Sequence, residues 1–172
     1  MPIPAYISIN GKKQGLITEN AFTEESVGNK YVEGHENEVL VQAFEHRIAK
    51  PKDPQSGQPT GQRQHKELVI TKIFDKSSPG LYQALTDGEV ITECIIKWYR
   101  TNIQGKIEHY FTHKLEDALI TEIHTFMPNC QDPSMEQFTH HEEVSFSYRK
   151  ITWVHEITGA EGEDDWRAPN TA

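Results

Sequence analysis

The sequence predicts a mainly β protein: a compact antiparallel β-barrel of two sheets, with one short α-helix and a long protruding loop. Three observations carry this. Apolar residues alternate with period two along most of the chain, as in Ile3, Ala5, Ile7 and Ile9. A single segment carries helix start and stop signals. Seventeen consecutive residues, Lys50 to Lys66 (KPKDPQSGQPTGQRQHK), contain no hydrophobic residue and sit between two strand-like stretches.

The elements follow in order. Ile3 to Ile9 alternate with Pro4, Tyr6 and Ser8. Leu40, Phe44 and Ile48 share a face around Gln42 and His46, and Leu68, Ile70 and Phe74 repeat the pattern after the loop. In the loop, Pro51, Pro54, Pro59, Gly57, Gly61 and four glutamines exclude helix and discourage sheet pairing. A loop of this length inside a domain is either a contact element or a floppy insertion. The helix is expected to begin with Ser78 as cap and Pro79 in its first turn, to place Leu81, Tyr82 and Leu85 on one face, and to end at Asp87–Gly88. It would plug one end or edge of the sheet. Strands are expected near 90–101, 107–115, 117–126 and 142–154, with Ile103 to Lys106 (IQGK) as a hairpin turn. Val144, Phe146 and Tyr148 are in phase, whereas Ile151 and Trp153 are one residue out, which predicts a bulge near Arg149–Lys150. The stretch from Thr158 to Ala172 turns polar and acidic. Its Trp166 predicts that this tail docks on the body or on a neighbouring subunit, the alternative being a frayed terminus with one sticky ring.

A chain of 172 residues fits one domain, 1–172, with 50–66 as extended loop and 158–172 as tail. Only 35% of its residues are hydrophobic, so much of the surface is polar loop or polar assembly interface. A net charge of -9 argues against nucleic-acid binding and anionic membrane. No apolar run is long enough for a membrane span, and the N-terminus lacks a classical signal peptide. Cys94 alternates with core positions and Cys130 lies between Pro128 and Pro133, which reads as two reduced thiols.

The residues offer little chemistry. His109 and His113 are four apart, but on a strand this separates them by about 13 Å, too far to chelate together. His140 and His141 point to opposite faces if extended. No HExxH, CxxC, GxSxG or phosphate loop occurs. Glu24–Glu25 and Glu142–Glu143 read as solvated faces. No catalytic, cofactor or metal site is expected. Three readings remain open on these grounds alone: an assembly subunit, a monomeric β-barrel that binds a small ligand in its interior, or an enzyme whose site carries no recognisable motif.

Several segments then narrow the choice. PAYISINGKKQG (Pro4 to Gly15), VGNKYVEGHE (Val27 to Glu36), DPQSGQPTGQRQHK (Asp53 to Lys66), IKWYR (Ile96 to Arg100), MPNCQDP (Met127 to Pro133), YRKITW (Tyr148 to Trp153) and DDWRAP (Asp164 to Pro169) resemble the Hcp family, the tube subunits of bacterial type VI secretion. The resemblance covers the chain in order. It implies a small β-barrel similar to phage tail tubes, a homohexameric ring, and stacking of rings into a hollow tube. It further implies a contractile sheath around the tube, a VgrG spike on its tip, and small effector proteins carried in the lumen. Localisation would be the bacterial cytoplasm before firing, then export into the medium or a target cell. The family's extended loop contacts adjacent subunits or rings. Its counterparts here are Lys52, Asp53, Pro54, Gln55, Ser56, Gly57, Gln58, Pro59 and Arg63, with Asp165, Trp166 and Arg167 as possible tail contacts. Six copies would carry six times -9, that is -54, so stacking is expected to be weak and salt-dependent.

Overall fold

The computed structural model describes residues 3–167. In chain order the elements are β1 (Ala5–Gly11), β2 (Gly15–Leu16), α1 (Glu24–Val27), β3 (Val39–Val41), β4 (Ala43–Glu45), β5 (Ile48–Ala49), β6 (Gln64–His65), β7 (Leu68–Ile73), α2 (Ser78–Asp87), β8 (Ile91–Thr101), β9 (Ile107–Phe126), β10 (His141–Ser147), β11 (Lys150–His155) and β12 (Ala160–Asp165). All pairings are antiparallel.

The main sheet runs β1–β8–β9–β10–β7–β4. One interrupted segment closes it. Residues 39–41 pair with β1, residues 43–45 pair with β7, and the amide of Gln42 between them donates to Thr71 O at 2.8 Å. This corrects the expected single strand through Leu40, Phe44 and Ile48. Val39 and Val41 are the buried residues, Phe44 is half-buried and Ile48 is exposed, because the strand changes partner at Gln42.

The segment 107–126 is one strand of 20 residues rather than two. Asp117 adopts a left-handed backbone (φ 50°) that bends it without ending it. One edge follows β8. The other takes β11 along residues 111–116 and β10 along residues 119–126. The phase slip at Arg149–Lys150 is therefore not a bulge but a strand change. The chain leaves β10 at Tyr148 and joins a different stretch of β9 as β11. A register irregularity does occur, at Ser145/Phe146. The hairpin at Ile103–Lys106 forms as expected. Asn102 Oδ1 accepts from the amides of Gln104 (2.9 Å) and Lys106 (3.0 Å), and Gly105 supplies the positive φ.

Helix α2 starts one residue away from expectation. Ser77 is the N-cap and Ser78 lies in the first turn, while Gly88 ends it at φ 66°. Leu81 and Ala84 are buried, Leu85 and Tyr82 half-buried, and the helix packs on β9. Phe74 does not belong to the core face. It lies beyond the end of β7, is 43% exposed, and stacks on His140.

Ile7, Ile9, Leu68, Ile70, Ile96, Leu115, Val144, Phe146 and Ile151 fill the barrel with no solvent exposure. Burial of such side chains contributes about 1.5–3 kcal/mol each. The interior is thus a packed core, and the ligand-chamber reading finds no support in it. Cys94 is one of the core residues, and burial pushes its thiol pKa up; Cys130 is exposed, and both are free.

Candidate functional site

The loop is an ordered arm. β5 and β6 pair at its root (Ile48↔His65, Ala49↔Gln64), Lys52 bridges to Pro59 further out, and Thr60 N donates to Pro51 O at 2.9 Å. Its prolines did not prevent this pairing, because the ladder skips their missing donors. The tip is organised by Asp53. Its Oδ1 accepts from Gln55 N (2.9 Å) and its Oδ2 from Ser56 Oγ (2.9 Å). Its main chain exchanges bonds with Gln58 O and Gly57 N at 2.8 Å. Gly57 supplies a left-handed turn residue at φ 72°. The bonded Gln55 amide, then the Ser56 hydroxyl, hold the Asp53 carboxyl below its usual range. Lys52, Pro54, Gln55, Ser56, Gly57, Gln58 and Pro59 are exposed at this tip. The tip satisfies its own backbone and leaves its side chains facing outward.

Arg63 points the other way. It makes a two-toothed ion pair with Asp164 of β12 (2.6 and 2.9 Å) and donates to Asp165 O at 3.1 Å. That bond pattern lowers the Asp164 pKa. His65 joins the same carboxylate through Nε2 at 2.6 Å. Its Nδ1 lies 2.7 Å from the Tyr148 hydroxyl, which also meets His46 Nε2 at 2.7 Å. Trp166 closes the cluster. Its ring stacks on His65 (5.9 Å between centroids, 29°), and its indole N–H donates to Tyr148 O. The arm's root is therefore locked between the barrel and the tail.

The tail itself is a strand. β12 pairs along the whole of β11, and three of its carboxylates find cations: Glu163 with Lys150 (3.1 Å), Asp164 with Arg63, Asp165 with Arg149 (3.4 Å). Asp165, Trp166 and Arg167 lie together at its end, with Arg167 N donating to Asp165 Oδ1 at 3.2 Å. Trp166 docks on its own chain and stays 38% exposed. Pro169 and the rest of the tail to Ala172 lie outside the described residues. Among the described residues the other edge of β12 is unpaired, as an edge strand available to a neighbour would be.

Glu142 corrects the solvated-face expectation. It is fully buried with Lys72, whose Nζ donates to Glu142 Oε1, to Ile73 O (3.0 Å) and to Ser78 Oγ (3.0 Å), with Asp75 at 3.2 Å. Ser78 Oγ in turn donates to Glu142 at 2.6 Å. The cluster pins the start of α2 to β7 and β10. Elsewhere, His113 sits on β9 in a ring cluster with Trp98 and Phe44, accepting from Trp98 Nε1 at 2.8 Å. His109 bonds Thr112 instead, at 2.8 Å. Among the described residues no three His, Cys, Asp or Glu side chains form a group able to hold a metal.

Known proteins resemble this arrangement throughout. A family model described as "Type VI secretion system effector, Hcp" matches residues 6–155. The "Major exported protein" of Pseudomonas aeruginosa is 62% identical over 169 residues, covering 98% of each chain. A structure titled "Crystal structure of Hcp protein" superposes with TM-score 0.90 at 48% identity, over 95% of this chain and 99% of that one. The secreted protein Hcp3 from Pseudomonas aeruginosa gives TM-score 0.81 at 52% identity, over 95% and 100%.

Proposed function

Because the chain belongs to the Hcp family of type VI secretion, we propose that it is the subunit of the system's inner tube, closing with five further copies into a ring. Rings stack into a hollow tube inside a contractile sheath, a VgrG spike caps the tube, and contraction exports it. Small effector proteins ride in the lumen. The subunit waits in the bacterial cytoplasm and leaves by this route. The family is a structural and secreted one, not a family of enzymes.

The observation that carries this reading is the arm: a tip whose polar side chains face outward, on a root fixed by buried bonds. An arm with no partner to meet has no need of a fixed root. A polar tip also keeps the free subunit soluble, and a heterologous contact that returns on itself closes a ring. Light scattering on the purified protein tests the reading: it expects six copies per particle and rings in electron micrographs, and a monomer at all concentrations would reject it.

A further inference from the structure

The Tyr148 hydroxyl is buried and meets two imidazoles, one on each side of the arm's root. Its hydrogen-bond order is constrained. Asp164, paired with Arg63, is an acceptor only, so His65 Nε2 must carry a proton and donate to it. In neutral His65 the Nδ1 then accepts, so Tyr148 donates to His65 and receives from His46 Nε2–H. Every group is satisfied.

One added proton is tolerated. On His46 Nδ1 it changes none of these bonds. On His65 Nδ1 it reverses them: His65 donates to Tyr148, and Tyr148 donates to His46 in its other tautomer. Two added protons are not tolerated. Both rings then donate to one oxygen, and the Tyr148 proton has no acceptor in a buried site, which costs about 1–3 kcal/mol besides placing two cations around one hydroxyl.

Resting on the reading of the arm as the contact element, we propose that Tyr148, His65 and Asp164 are positioning residues for assembly: they fix the arm's root at one angle, accept one proton with every hydrogen bond still satisfied, and release the arm at the second. The charged and titratable groups around the hydroxyl come from every neighbouring element. They are His46 before β5, Arg63 and His65 at β6, Lys66 and Glu67 after it, Asp164 and Asp165 on β12, Arg149 before β11, and His113 of β9 on the far side of His46. Burial, and then His65, hold His46 below the ordinary imidazole range, so His46 gains its proton only on the acid side of neutrality.

The test follows hydrogen exchange at the Lys66 amide, which donates to Arg47 O across the root at 2.9 Å, together with the assembled fraction, from about pH 8 to about pH 5. Exchange is corrected for its intrinsic pH dependence. The wild type should lose Lys66 protection and assembled particles together as pH falls. His46→Gln, which donates as His46 does but takes no proton, should move that midpoint down. Tyr148→Phe should speed Lys66 exchange about tenfold at pH 8 and flatten its pH dependence. A wild-type profile in either variant overturns the proposal. The exchange reading does not need assembly, so a wild type that stays monomeric would reject the tube reading while the latch is still judged on its own.

Discussion

Lys72 on β7 and Glu142 on β10 form an ion pair in which neither side chain has any solvent exposure. Asp75 adds a second carboxylate at 3.2 Å, so one ammonium serves two acids at the foot of α2. Desolvating such groups costs several kcal/mol each, and only their mutual bonds offset it. Removing the shared cation should therefore be the worst single change. Lys72→Met is expected to lower stability by about 3–5 kcal/mol, Glu142→Leu by less because Lys72 keeps Asp75, and the double change to recover part of the Lys72→Met loss. Urea denaturation of the three variants checks this; additive losses would show that the two side chains are not coupled and would contradict it.

The arm carries its own charge. Between His46 and Lys66 stand Arg47, Lys50, Lys52, Arg63 and Lys66 against Asp53, a net +4 that leaves -13 on the rest of the -9 chain. A basic arm on an acidic body favours contact between copies where uniform charge would oppose it. Lys50→Glu with Lys52→Glu, both exposed, should weaken assembly at least tenfold at low salt while leaving the melting temperature within a few degrees. Sedimentation in about 50 mM and about 500 mM salt checks it. Wild-type assembly at low salt would contradict it.

Acid should destabilise the barrel in a defined window. Burial, and then His46, push His113 down to about 4, and His46 is itself lowered. Unfolded histidines titrate near about 6.5, so the folded chain binds fewer protons below that value. Stability is then full above about pH 6.5 and falls as pH drops towards about 4, by at most about 1.4 kcal/mol per pH unit for each proton. Thermal melts at about pH 8, 6 and 4.5 read this slope, and His113→Gln should flatten it. A flat wild-type profile would rule out the buried-neutral state of His113.

Trp166 is docked within its own chain through Tyr148 O and the His65 ring. Trp166→Ala should therefore loosen the arm root in the free subunit, costing about 1–3 kcal/mol in local opening. Exchange at Lys66 measures it. Unchanged protection would mean that the indole serves only a neighbouring copy.

How much of this the sequence showed differs from element to element. The alternation in β1, β8 and β9 and the signals of α2 were legible because each is local. Breaks at Gln42 and Arg149 were not, since a strand that changes partners keeps its local pattern and only the partner differs. The buried pair left a trace: Lys72 is in phase with Leu68 and Ile70, and Glu142 with Val144, Phe146 and Tyr148. Two opposite charges on two core faces point to a buried bond once that phase is followed. The arm's outward residues were legible in DPQSGQP. Its lock was not, because His46, His65, Tyr148 and Asp164 stand far apart in the chain and nothing local pairs them. For the same reason Arg63, read as an outward contact, turned out to face Asp164.

The arm is proposed to join one copy to the next. Light scattering of the wild type beside a variant lacking Asp53 to Pro59 tests it most directly. Hexamers are expected for the wild type and mostly single, folded subunits for the variant, with an unchanged circular dichroism spectrum. Equally stable hexamers from both proteins would contradict it.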